Sequence, residues 1–267
     1  MAGPTTAERG ERQDRQGAAS GPPRPPLLRR LPGPRTLIIL MVCLALLCAG
    51  VSWVLYGSRW TRVESVSASG TRVLTPAQVV EAADVPVGSP LISVDTDVIE
   101  AGLLRKLPRI DLVDVDRSWP HGIRLKVTER IPVLVTENTG KGGKYVEVDA
   151  KGVRYATVSR APQGVPTLEL NVSRSAGLRR FGADRLVREA VRVARSLPAA
   201  VTRATQVVKV RSYDSISLEL SGDREVDWGS GEQGGSKAHT LTALMKAAPE
   251  ARHFDVSVPT APASSGS

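Results

Sequence analysis

The rhythm of hydrophobic and polar positions divides the chain. From 36 to 58 there are 23 consecutive residues without a charge, bounded by Arg35 and Arg59, and 37–47 is almost wholly aliphatic. Such a run predicts one helix long enough to cross the roughly 30 Å hydrocarbon layer at 1.5 Å per residue. After it, 63–69 alternates and stops at Gly70, which predicts a short strand. Thr75-Pro76-Ala-Gln78 carries the signature of a helix start: Thr caps, Pro takes the first helical position, and Gln reaches back to the cap. A second helix begins at Asp95 or Thr96, lines up Ile99, Leu103 and Leu107, and stops at Pro108. Val113 and Val115 alternate with Asp114 and Asp116. Ile123, Leu125 and Val127 alternate with Arg124, Lys126 and Thr128, and Trp119-Pro-His-Gly122 makes the turn between them. The order over 61–130 is strand, helix, helix, strand, strand.

From 131 to 258 the pattern is strand-rich, with candidate strands at 131–137, 145–149, 167–170, 206–212, 215–220, 225–228 and 253–258. Two helices interrupt it. One, at 183–197, turns Leu186, Val187, Ala190 and Leu197 inward and Arg185, Arg188, Arg192 and Arg195 outward. The other, at 236–248, places Leu241, Leu244, Met245 and Ala248 on one face. The fold class is therefore α+β: a single transmembrane helix at 36–58, a β-α-α-β-β domain at 61–130 and a strand-rich β domain with two helices at 131–258. Residues 1–35 and 259–267 have almost no aliphatic side chains to bury and are expected to remain disordered tails.

Charge gives the membrane helix a direction. Residues 1–35 hold seven Arg against three acids, whereas Arg59, Arg62 and Arg72 face Glu64 just beyond the helix. This bias places the N-terminus in the cytoplasm and the C-terminus outside. The apolar run is too long for a cleavable signal sequence, and no Ala-x-Ala follows it closely. Cys43 and Cys48 both lie within it, so the exported part has no cysteine and needs no oxidising machinery. The net charge of +9 splits into +4 on the first 35 residues and +5 on the rest, and export makes nucleic acid an improbable partner. The P-x-x-P run at 22–26 reads as a stiff lead-in and Asn171-Val-Ser173 is a formal glycosylation sequon.

Catalytic patterns are missing. Neither Ser-x-x-Lys nor Gly-x-Ser-x-Gly occurs, and His121, His239 and His253 are too scattered for a metal motif. Asp111, Asp114 and Asp116 fit a solvated strand face better than a cation site. Gly229-Ser-Gly231-Glu-Gln-Gly234 is a literal G-x-G-x-x-G, but it follows a hairpin rather than opening a βαβ unit, so a flexible strand-to-helix loop is the reading. No catalytic residue, cofactor or metal ligand is assigned, and the chain is read as a non-enzyme.

Three stretches carry a resemblance. Val63 to Gly70 is similar to the first strand of an FtsQ-type POTRA domain. Leu107-Pro108, Trp119-Pro120 and Val127-Thr-Glu129-Arg130-Ile-Pro132 resemble the most characteristic segment of the FtsQ family, called DivIB in many Gram-positive bacteria. Trp228-Gly229, Lys237 and Phe254-Asp255-Val256-Ser-Val-Pro259 resemble its C-terminal pattern. The Arg, Ala, Gly and Pro bias fits an actinobacterial genome. The resemblance implies a bitopic divisome scaffold at the division septum of the cell membrane. Its partners would be FtsL-like and FtsB/DivIC-like bitopic proteins, and it would link them to septal peptidoglycan synthases. An exported POTRA-type assembly factor for another envelope complex is the alternative.

An open edge strand can receive a partner strand through its unpaired backbone groups. The expected edge is Arg252, His253, Phe254, Asp255, Val256, Ser257 and Val258, with Phe254 and Val256 anchoring one face and Arg252 meeting partner acids. The alternative for Phe254 and Val256 is packing on the helix at 236–248.

Overall fold

In a computed structural model of the chain, residues 33–138, 143–171 and 182–266 are described. The lead-in with its P-x-x-P run up to residue 32 and the Val172 and Ser173 positions of the sequon lie outside the described residues.

Helix α1, Pro34–Gly57, takes up the apolar run. Pro34 at its first position costs nothing, because the first N–H groups of a helix have no internal partner. None of its residues is buried against protein, as an apolar helix facing lipid requires.

The first sheet has three strands in the order β1-β3-β2. Strand β1, Ser65–Ser69, runs parallel to β3, Gly122–Glu129, and β2, Ile110–Ser118, pairs antiparallel with β3. Gly70 ends β1 at φ +83°, where a Cβ would collide with the Val127 carbonyl. Helix α2, Pro76–Ala83, has the complete capping box: the Thr75 hydroxyl accepts from Gln78 N, and the Gln78 side chain accepts from Thr75 N. Helix α3, Thr96–Lys106, is capped by the Asp95 carboxylate, which accepts from Asp97 N and Val98 N. The two helices cover the sheet over a core of Val63, Val79, Leu91, Leu103, Ile123 and Leu125. The turn joining β2 to β3 contains a cis Trp119–Pro120 bond.

The second sheet is mixed, with nine strands in the order β12-β11-β10-β9-β8-β7-β4-β5-β6. Its strands are β4 (Pro132–Asn138), β5 (Lys144–Asp149), β6 (Arg154–Val158), β7 (Thr167–Leu170), β8 (Thr205–Ser212), β9 (Ser215–Leu220), β10 (Arg224–Gly229), β11 (His253–Asp255) and β12 (Ala263–Ser265). Among the described residues three helices accompany them: α4 (Ala183–Ser196), the short α5 (Ala199–Ala204) behind Pro198, and α6 (Gly234–Ala247). Helix α4 buries Leu186, Val187, Ala190 and Val193, which pack into one core with Val208, Leu218, Trp228 and Leu241. The class is α+β.

Two expectations are corrected here. Residues 259–267 are not wholly a loose tail, because Ala263–Ser265 forms β12 on β11. Its side chains are all exposed, so the strand exists through backbone pairing that composition does not register. Likewise, the segment from Arg252 to Val258 is not the edge of the sheet. Strand β11 has β10 on one side and β12 on the other.

Candidate partner-binding sheet edge

Strand β11 is placed by its register with β10, which sets Val226 beside Phe254 and Asp227 beside Asp255. Side chains alternate across a strand, so Phe254 and Val256 turn inward, and both are fully buried in the core that contains Trp228 and Leu241. They are therefore not available as anchors for a partner, and packing with the α6 side of the core is what they do. The other parity, His253, Asp255 and Ser257, is half-buried, and Arg252 and Val258, beyond the two ends of the strand, are exposed. His253 Nε2 lies 3.3 Å from Asp227 Oδ2 across the strands. Asp255 Oδ1 accepts from the Ser257 hydroxyl at 2.7 Å and from Ser257 N at 2.9 Å; the hydroxyl bond leads in holding its pKa below the usual carboxylate range against the effect of burial.

The edge itself lies one strand further out. Ala263, Ser264 and Ser265 pair with Asp255, Phe254 and His253, and Arg252 N donates to Gly266 O at 2.9 Å. In an antiparallel ladder, hydrogen-bonded and non-hydrogen-bonded pairs alternate. Glu225 N donates to Arg252 O and Val256 N to Asp227 O, so Phe254 directs its backbone groups to β10; 253–265 and 255–263 are then the bonded pairs with β12, and Ser264 directs its N–H and C=O away from β11. No strand covers that side among the described residues. The opposite end of the sheet is β6.

The loop after β10 fixes this region from beneath. Lys237, on α6, is buried, and its ammonium donates to Trp228 O and Ser230 O, both at 2.9 Å. Burial lowers its pKa. The glycines of the G-x-G-x-x-G run are close-approach positions rather than a phosphate cradle or a loose loop. A Cβ at Gly229 would lie 3.0 Å from Ser257, one at Gly231 2.5 Å from Glu189 Oε2, and one at Gly234 2.7 Å from Ser196 Cβ. A side chain at Gly234 would press on α4, and one at Gly229 on the segment after β11.

A second built feature lies at the Glu129-Arg130-Ile-Pro132 run. The Glu129 carboxylate accepts from the backbone N–H groups of Arg72, Val73 and Leu74, with 2.7 Å to Arg72. Burial alone would raise its pKa, but these bonds and the Arg109 charge bring it below the ordinary value. Arg130 donates to Pro108 O at 3.1 Å, pairs with Asp111 at 3.0 Å, and also pairs with Asp149. Burial opposes the Asp149 charge, yet the N–H groups of Val153 and Lys151 together with Arg130 hold its pKa down. Arg109 pairs with Glu147 at 2.9 Å and lies over the Tyr155 ring. Desolvation, followed by the hydrogen bond and charge of Glu147, raises the Tyr155 pKa. Asp111 and Arg109 belong to the first sheet region, Asp149 and Glu147 to the second, so the ions tie the two sheets together. Asp114 and Asp116 stay exposed on β2, and no group of three His, Cys, Asp or Glu is placed to hold a metal among the described residues.

Residues 61–130 match the family model for the POTRA domain, FtsQ-type. Over its whole length the chain is 69% identical to all of the cell division protein FtsQ of Streptomyces coelicolor. The chain belongs to the FtsQ family of cell-division proteins. FtsQ of Streptomyces collinus is 66% identical, again over 100% of both chains. A solved structure of the major extracytoplasmic domain of DivIB from Geobacillus stearothermophilus, in its trans isomer, covers 45% of this chain and 94% of that one at 18% identity, with a TM-score of 0.32. With α1 as its apolar span, this FtsQ-family member is a single-pass membrane protein of cell division. Its characteristic Glu-Arg-x-Pro run coincides with the ion-tied joint, and the Trp-Gly…Lys run with the buried-lysine cap.

Proposed function

We propose that the chain is a non-enzymatic divisome scaffold, held at the septum with its N-terminus in the cytoplasm and its two sheets outside. It divides into a cytoplasmic tail at 1–35, the membrane helix, the POTRA domain and a β domain from 131 onward that includes β12. It receives FtsL-like and FtsB/DivIC-like bitopic partners, and through them engages the septal peptidoglycan synthases. The observation that carries this reading is the uncovered outer side of β12, where Ser264 leaves its N–H and C=O for a partner strand to satisfy. Small side chains on β12 let a second backbone approach. Beside it, Arg252, His253, Asp255, Ser257 and Val258 present the exposed or half-buried side chains that select the partner, with Arg252 meeting partner acids.

The test is co-purification of the full chain with its FtsB-like partner from membranes. Ser264→Pro removes the outward N–H without touching the core, and should abolish capture while leaving thermal unfolding unchanged. Arg252→Glu should weaken capture. Capture that survives Ser264→Pro would remove the edge of β12 from the account.

A further inference from the structure

Helix α4 carries a line of exposed arginines on the side away from its buried residues. Its outward arginines follow one line: Arg188, Arg192 and Arg195 are spaced four and three residues apart, so they span about 10 Å along the helix. The turn after β5 brings Lys151 beside them, and Ala150, Lys151, Arg188, Arg192 and Arg195 are among the residues that line an open groove of about 390 Å³. Gly152 fits against the Arg188 stem, where a Cβ would lie 2.8 Å from Cγ, so the turn and the helix meet closely. Three of the groove's charges are only lightly compensated. Arg188 and Arg195 have no hydrogen bond or ion pair among the described residues. Arg192 stands 3.3 Å from Glu189 Oε2, close enough to pair charges but not aligned as a hydrogen bond, and that oxygen is buried without another partner.

We propose that this groove docks an acidic peptide segment of a partner chain, laid along α4 with successive carboxylates meeting Arg188, Arg192 and Arg195. The linear spacing decides against a single compact anion, which could reach one or two of these guanidiniums but not all three. Guanidinium forks pair bidentately with carboxylates, and the open groove admits a chain rather than enclosing a small ligand. Lys151, already paired with Asp111 at 2.6 Å, forms the second wall.

The test uses the full chain in detergent micelles and an oligoglutamate peptide long enough to span the three arginines. Arginine-specific labelling by phenylglyoxal, read by mass spectrometry, should be suppressed by the peptide at Arg188, Arg192 and Arg195 but not at the exposed Arg105 and Arg160. Binding of the fluorescent peptide at low salt should weaken at least about tenfold in the double variant Arg188→Glu, Arg195→Glu, and stay near wild type in Arg105→Glu, Arg160→Glu, which changes net charge equally. Ser264→Pro should leave peptide binding intact, so failure here and failure at the strand edge are separately visible. Uniform protection of all arginines, equal loss in both double variants, or no saturable binding would overturn the proposal. So would tripolyphosphate protecting the same three arginines where oligoglutamate does not, because the groove would then belong to a phosphate chain.

Discussion

Glu129 illustrates how a single carboxylate organises its surroundings. It gathers three backbone N–H groups at the turn that follows β1, so its charge is worth more in the folded chain than in the unfolded one. Its folded pKa, like that of Asp149, lies below the ordinary value, 4.5 for Glu and 3.8 for Asp. The unfolded chain therefore binds more protons in the acid range. The stabilisation is fully present above those ordinary values and drains away as pH falls through the lowered folded ones. Glu129→Gln should reduce the urea midpoint at neutral pH and flatten its dependence on pH down to about pH 3, as urea titrations at several pH values will show. Lys237 works the other way round, as a buried donor serving two carbonyls. Lys237→Met keeps most of the volume but leaves Trp228 O and Ser230 O without that donor, and should cost about 1–3 kcal/mol in chemical denaturation.

Elements in this chain differ in whether their cause is local. The start of α2 is wholly local: Thr75, Pro76 and Gln78 determine it within four residues, and Thr75→Ala should cost about 1 kcal/mol of stability by urea denaturation. For the same reason the first sheet and both its helices were legible from alternation and caps. Strand β12 has no such cause, because Ala-Ser-Ser becomes a strand only when β11 offers a ladder, and a polar, small-residue tail without a partner reads as disorder. Strand β6 was also missed; Arg154 to Val158 alternates weakly and is held by pairing with β5. The placement of Phe254 and Val256 depended on which side of β11 faces the core, and the parallel register with β10 settles that at long range. The glycine run after β10 was visible, but its purpose was not. Its neighbours Glu189 and Ser196 lie some 40 residues earlier in the chain, on α4. Gly234→Ala should destabilise by about 1–3 kcal/mol by pressing on Ser196 Cβ of that helix, measured as a shift in thermal or urea unfolding.

At the scale of the whole molecule, the joint between the two sheets and the outer side of β12 have to act together for a scaffold to hold partners in register. Arg130 is the centre of the joint, with Asp111 on one side and Asp149 on the other. Partner removal at a half-buried pair leaves acids uncompensated. Arg130→Ala should therefore raise amide exchange in the 108–111 and 149–153 segments before any change in the cores of either sheet. The central claim, that the chain works by lending a sheet border to another chain, is tested most directly by residue-resolved hydrogen exchange on the full chain, alone and mixed with the FtsL-like and FtsB-like pair proposed for it. The account predicts new protection at the Ser264 amide on binding. Protection confined to other surfaces, with this amide exchanging as freely in the complex as alone, would contradict it.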